Sequence, residues 1–324
     1  DVRASLIELI NDAENDPNIQ AHVLMGHNDI FCGGADITEF DGPLLDPQFP
    51  ELIHVMEGTK KPIIAAISGF ALGGGLEVAL GCHYRIAEAG AQMGLPEVTL
   101  GLIPGAGGTV RLPRLIGAKL AIELGTTGRR VRATEALAIG LIDAVFEEPL
   151  LACAILFAQQ RVNYSVPRLS NIKTVKSPGV KFFEKQSSFL KQKFKGQASP
   201  IVALNTYHES IVLSFEEALV NERNKFVELR ASEQAKSLRH VFFAERKAKE
   251  FLKVSTTKDD FCEMVAIIGG GTMGTGIATR LLLSGYKVCL FEIDKNIRKN
   301  AFKNIVLNLD GAVKRAKIDQ TQKN

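Results

Sequence analysis

Tryptophan is absent, only four tyrosines occur, and the five cysteines (Cys32, Cys82, Cys153, Cys262, Cys289) form no CxxC pair. An odd number without paired spacing argues against a disulfide framework and against a zinc site, and fits a reducing compartment; no metal is expected. Charge of one sign is not in surplus either. The formal net charge is +3 over 324 residues, too near balance for a chain that acts as a whole on nucleic acid. Long apolar runs are also missing. The longest stretch of the first half without an ionisable side chain, Pro62 to Leu76, is interrupted by glycines and falls short of the ~20 residues of a bilayer span. The chain begins at Asp1 with no basic-then-apolar leader, so it is expected to be a processed chain or a fragment.

What is present is an ordinary globular composition, 46% hydrophobic and 23% charged, with 29 glycines. At about 150 residues per domain the length suggests two domains. Helical spacing over Val2–Glu14, the short apolar runs Ala21–Gly26 and Ile63–Ser68, and helices at Leu76–Cys82 and Val110–Ile116 make the first half an alternation of strands and helices. Residues 216–251 read as one helical stretch, and Ser255–Asp260 as a polar linker.

The clearest motif lies near the end. Met264–Ile268 is an apolar strand, Gly269-Gly270-Gly271-Thr272-Met273-Gly274 follows, Ile277–Ser284 is a helix, and Lys287–Phe291 is a second strand closed by Glu292. In such a fingerprint Gly269 permits the tight turn, Gly271 lets the backbone approach a pyrophosphate, and Gly274 lets helix and strand pack closely. The N–H groups around Thr272 and Met273 would face the phosphates. Glu292, 21 residues beyond Gly271, would take the ribose hydroxyls, which favours NAD over NADP. A glycine turn in an unrelated βαβ unit is the bland alternative. Hydride transfer from a hydroxyl also needs a general base, most often His, and no His follows His240. Dehydrogenase activity is therefore not expected of this chain.

Two acids stand in apolar, glycine-rich surroundings: Glu77 after Gly73-Gly74-Gly75, and Glu97 beside Pro96. A carboxylate so placed tends to a raised pKa, which suits acid–base work. Glu77 could equally be a first-turn helix acid and Glu97 a turn residue, while Asp36 reads more readily as a helix cap than as catalytic. The small residues Cys32-Gly33-Gly34-Ala35 would let a ligand reach backbone N–H groups.

The segments FCGGADITEF, KPIIAAISGFALGGGLEVALGCHYRIA and GLPEVTLGLIPGAGGTVRLPRLIG resemble the enoyl-CoA hydratase/isomerase (crotonase) superfamily over about residues 1–150. Followed by LRASEQAKSLRHVFFAERKA and the dinucleotide fingerprint, their order resembles the enzymes of fatty-acid β-oxidation that join this activity to a 3-hydroxyacyl-CoA dehydrogenase. The resemblance implies an α/β chain: a crotonase-like spiral of ββα units over 1–190, a helical linker over 191–260, and the first half of a Rossmann-type NAD-binding domain over 261–324. It implies that the N–H groups of Ala35 and Gly74 form an oxyanion hole for a CoA thioester, and that Glu77 and Glu97 are the acid–base pair. Two acids favour hydration of a trans-2-enoyl-CoA, with Δ3,Δ2-isomerisation by Glu97 as a second activity. A peroxisomal setting and a monomer follow from the same resemblance, as does the expectation of truncation at both ends. A non-catalytic protein that keeps affinity for CoA and NAD is the competing reading.

Between Arg168 and Lys195 eight Lys/Arg face one acid, Glu184, with phenylalanines interspersed. A solvated amphipathic helix face, a surface for CoA phosphates or its acyl tail, and a nucleic-acid surface are the readings, in that order.

Overall fold

The computed structural model describes residues 2–147, 149–253, 262 and 264–314, which form two compact units divided between Arg246 and Lys247. In the first unit α1 (Val2–Asn15), β1 (His22–Met25), a 3₁₀ turn (Ile37–Asp41) and α2 (Phe49–Gly58) lead to β2 (Ile63–Ile67), β3 (Phe70–Leu72) and α3 (Gly74–Gly81). Next come β4 (Tyr84–Glu88), β5 (Gln92–Gly94), a second 3₁₀ turn (Glu97–Leu100), α4 (Gly108–Ile116), α5 (Ala118–Thr127), β6 (Val131–Arg132), α6 (Ala133–Ala138) and β7 (Ala144–Phe146). Helices α7 (Leu150–Gln159), α8 (Val180–Lys193), α9 (Ser199–Val212), α10 (Phe215–Ala231) and α11 (Glu233–Lys253) complete the order.

Strands β1, β2, β4 and β7 form a parallel sheet in the order β1-β2-β4-β7, with Val23 opposite Ile64 and Ala66 opposite Ile86. Every residue of β2, IIAAI, is buried, as expected of a parallel strand covered on both faces. A second, smaller sheet, β3-β5-β6, stands beside it: β3 and β5 are parallel, β5 and β6 antiparallel. Leu52, Ile53 and Met56 of α2 and Leu76 and Leu80 of α3 are essentially inaccessible against these sheets. Each such side chain stabilises the fold by about 1.5–3 kcal/mol relative to exposure.

Helix α4 contains Pro113, which cannot donate to the carbonyl of Thr109 one turn back. The hydroxyl of Ser210, on α9, donates to that carbonyl at 2.9 Å and replaces the lost bond. The expected single helix over 216–251 is two. Ser232 is extended (φ −68, ψ 145) and ends α10, and its hydroxyl accepts the Ala235 N–H to start α11. The stretch expected as a linker, 191–260, belongs up to Arg246 to the same compact unit as the sheets: α9 packs on α4 and α5, and α10 on α4 and α9. The Ser255–Asp260 segment lies outside the described residues.

The basic stretch divides. Arg168 donates to the carbonyls of Glu57, Gly58 and Thr59 at the end of α2, so it closes a helix terminus. The lysines lie on and around α8, where Leu190 is buried and Phe182, Phe183 and Phe194 pack on the core while Phe189 is exposed. The amphipathic-helix reading describes this arrangement best.

The second unit pairs β8 (Met264–Ile268) in parallel with β9 (Lys287–Phe291), linked by α12 (Thr272–Leu283) and followed by α13 (Lys295–Lys314). Helix α12 starts five residues earlier than apolar spacing suggests, because Met273 is the one apolar side chain among the Thr and Gly residues before Ile277.

Candidate active site

Three glycine-rich segments and two acids meet in one cavity of the first unit, of about 250 Å³. Its walls include Gly33, Gly34, Ala35, Gly73, Gly74, Glu77, Glu97, Gly105 and Ala106, with Phe40, Phe49, Leu102 and Phe226 as the apolar part. Gly74 is the first residue of α3, so its N–H has no intrahelical acceptor. A Cβ placed on Gly74 would lie 3.4 Å from the Ala35 nitrogen, so the two amides border one small space. Gly73, before them, has φ +53, which glycine adopts without steric cost, and a side chain there would meet Glu97 Oε1 at 3.3 Å. Asp36 caps the 3₁₀ turn after Ala35 by accepting the Thr38 N–H.

Glu77 lies on α3 and is 4% exposed. Its Oε1 accepts the Ala106 N–H at 2.7 Å and the Gly108 N–H at 2.8 Å. Burial raises its pKa, and these two amides, with Arg111 and Arg223, act against the rise. Glu97 begins the second 3₁₀ turn, and among the described residues neither of its buried carboxyl oxygens has a hydrogen-bond partner. Burial first and the neighbouring Glu77 second hold the Glu97 carboxyl well above the ordinary glutamate range. The two acids are thus unequal. Glu77 has two amide donors that favour its charged form, and Glu97 has none among the described residues.

A third acid is legible only in three dimensions. Glu222 of α10 is 1% exposed and accepts the Gly107 N–H at 2.5 Å and both the N–H and the hydroxyl of Thr109. Burial and then Glu77 push its carboxyl up to about 8. The signal in the sequence is a glutamate in a buried stripe: Ala218, Glu222 and Phe226 recur every four residues on the inner face of α10. From the same helix Arg223 donates to Gln48 and to the Gly105 carbonyl, and Arg230 to the Glu39 carbonyl; Phe226 meets Phe40 edge to face. Helix α10 therefore joins both walls of the cavity. The amides of Ala106, Gly107, Gly108 and Thr109 are turned toward the chain's own carboxylates.

In the second unit Gly269 has φ +103, and a Cβ on Gly274 would fall 1.9 Å from the Gly269 carbonyl oxygen. Among the described residues nothing lies within 4 Å of a Cβ on Gly271, the residue that opens α12, and the first amides of that helix, from Thr272 and Met273, have no intrahelical acceptor. Glu292 closes β9; its carboxylate accepts the Gly270 N–H at 2.7 Å, and this bond and that from Asp294 hold it below its usual range. The glycine turn, the open approach and the free helix N-terminus fit a dinucleotide pyrophosphate.

Short parallel strands thus stand beside a cavity lined by two buried carboxylates and by the backbone of Ala35 and Gly74. The enoyl-CoA hydratase/isomerase family matches residues 1–201, and the chain belongs to it. Residues 264–324 match the 3-hydroxyacyl-CoA dehydrogenase NAD-binding domain. The chain is 40% identical to the peroxisomal bifunctional enzyme of Danio rerio over 97% of its length and 45% of that protein. It is 36% identical to the enzyme of the same name from Homo sapiens, over 94% of this chain and 43% of that one. It thus spans about half the length of the curated relatives it matches. Among solved structures, carnitinyl-CoA hydratase from Mycobacterium avium superposes with a TM-score of 0.53 at 29% identity, covering 75% of this chain and 85% of that one. An enoyl-CoA hydratase/isomerase from Pseudoalteromonas atlantica shares the fold, with a TM-score of 0.56, 24% identity, and coverage of 75% and 86%. Among the described residues no helix is long and apolar enough to cross a membrane.

Proposed function

We propose that the first unit hydrates trans-2-enoyl-CoA thioesters to 3-hydroxyacyl-CoA in fatty-acid β-oxidation. The observation that carries this reading is the unequal pair, Glu77 held by two amides and Glu97 held by none among the described residues. The N–H groups of Ala35 and Gly74 bind the thioester oxygen and stabilise the negative charge that develops there. A water lies between the two acids. Glu77 removes its proton as the oxygen bonds to C3, the electron pair moves onto the thioester oxygen, and Glu97 then delivers its proton to C2. One proton has been taken up by Glu77 and one given by Glu97, so a proton transfer between them resets the site. Isomerisation of a Δ3-enoyl-CoA needs Glu97 alone, in its ionised form: its carboxylate takes one proton from C2 and returns it to C4. Loss of the conjugated thioester absorbance of a short trans-2-enoyl-CoA tests the reading. Full activity in a Glu97→Gln chain, or CoA-ester binding without turnover in the unaltered one, would overturn it.

The second unit is proposed to bind NAD, with the amides of Gly271, Thr272 and Met273 toward the pyrophosphate and Glu292 toward the ribose. When bound, NAD supplies a hydride acceptor. NADH fluorescence titration is expected to show binding that Gly274→Val removes, since its side chain would collide with the Gly269 carbonyl. The names of the relatives support a peroxisomal setting; localisation of the complete protein tests it.

A further inference from the structure

Four consecutive amides of the 105–109 loop are divided between two carboxylates in strict alternation. Ala106 donates to Glu77, Gly107 to Glu222, Gly108 to Glu77 and Thr109 to Glu222. Both acids are buried, one on α3 and the other on α10, so the loop is held from two sides. We infer that Glu222 is a positioning residue for Glu77: by holding the amides of Gly107 and Thr109 it aims those of Ala106 and Gly108 at the Glu77 carboxylate.

Three further contacts fix the loop in this setting. Ser210 donates to the Thr109 carbonyl at 2.9 Å, Thr109 Oγ1 bonds to the same Glu222 oxygen as its own N–H, and Arg223 donates to the Gly105 carbonyl. The loop is closely packed at its glycines. Gly107 has φ +106, and a Cβ there would meet Arg111 Nη1 at 1.8 Å; one on Gly108 would meet Pro104 at 2.7 Å and Glu77 Oε1 at 3.0 Å. The four amides belong to one tight turn, with Gly107 left-handed and Gly108 opening α4, so moving one pair away from Glu222 moves the other away from Glu77. Glu222 does not line the cavity, and its effect on the reacting atoms passes through the loop.

The inference rests on the hydratase reading for its kinetic arm only. In Glu222→Gln the side-chain oxygen still accepts one amide, but the NH₂ group faces the other donor and one bond is lost. The expected result in the full chain is a fall in kcat of about tenfold to a hundredfold with KM changed less than about threefold. Misplacement of a catalytic group by about an ångström costs up to ~10² in rate. Glu222→Asp, which keeps both acceptor oxygens, is expected to recover part of the loss. Amide hydrogen exchange supplies an arm that needs no activity. Exchange at Ala106 and Gly108, the donors to Glu77, is expected to speed up in Glu222→Gln together with that at Gly107 and Thr109. A variant that is less stable yet keeps full kcat and unchanged exchange at Ala106 and Gly108 would show that Glu222 only anchors α10, and would overturn the inference. Hydration absent from the unaltered chain would refute the hydratase reading while the exchange arm still decides the role of Glu222. Thr109→Val, which removes only the hydroxyl bond, covers the case in which the position 222 variants fail to fold; it is expected to speed exchange at Ala106 and Gly108, and unchanged exchange there would count against the inference.

Discussion

Glu77→Gln separates the chemistry of the site from its architecture. Both amide bonds to Glu77 fall on Oε1, so a glutamine oxygen can accept the Ala106 and Gly108 N–H groups unchanged. The NH₂ group then takes the place of Oε2, which bonds no group among the described residues. Each of the two hydrogen bonds loses its charge assistance, weakening by roughly 1 kcal/mol. Against this, the cost of holding a carboxylate away from water, several kcal/mol per buried ion, is removed. The two effects leave stability unchanged or slightly higher. Turnover behaves otherwise, because the proton acceptor is gone: the general-base contribution of ~10²–10⁴ in rate is lost. The variant also relieves Glu97 of the neighbouring charge that helps raise its pKa, so Glu97 should release its proton at lower pH than before. The assay is hydration of a short trans-2-enoyl-CoA across pH, beside thermal unfolding of both chains. A Glu77→Gln chain that keeps more than about a tenth of the unaltered turnover, or that unfolds at much lower temperature, would refute the reasoning.

Gly74→Ala places a methyl 3.4 Å from the Ala35 nitrogen and 3.5 Å from the Phe49 ring, at ordinary contact but in the space between the two amides. It is expected to keep the melting temperature and lower kcat/KM by about 10². The Glu57–Arg111 pair, 2.8 Å apart with both side chains nearly inaccessible, predicts a loss of about 3–5 kcal/mol for Glu57→Ala, read by chemical denaturation. Glu222 predicts a pH dependence of stability. The folded chain holds a proton there up to about 8, whereas the unfolded chain releases it near ~4.3. Its contribution is therefore complete below the lower value and lost as pH rises toward 8, so the melting temperature should fall over that window and fall less in Glu222→Gln.

The strands and helices nearest the site were largely legible, because apolar runs such as Ile63–Ile67 and glycine junctions such as 73–75 mark them locally. The meeting of Ala35, Gly74, Glu77 and Glu97 in one cavity came from a family resemblance; local pattern left each acid with a bland alternative. Glu222 stayed hidden for a physical reason. Its partners are the amides of Gly107 and Thr109, more than a hundred residues earlier, and a backbone amide carries no side-chain signature. The same distance hid the role of α9 and α10. Their charged outer faces resemble those of a connecting helix, while a narrow inner stripe of Ala218, Glu222 and Phe226 does the packing. At Arg168 the charge read first as part of a solvated helix face, yet the guanidinium is used up on the carbonyls that end α2.

Pro113 has a consequence for the order in which the chain folds. A helix from Gly108 to Ile116 cannot satisfy its own Thr109 carbonyl, and the donor that does so, Ser210, is 101 residues away. The amides that Glu222 receives lie 113 and 115 residues from it. During synthesis the sheets can pair while these groups are still bound to water, whereas the 105–109 loop must wait until α9 and α10 have left the ribosome. Contacts of such sequence separation form slowly, since loop closure precedes any gain from them. The setting of the 105–109 loop is then a late event in the folding of the first unit, and a nascent chain stalled before residue 210 would hold a formed sheet with an unset loop.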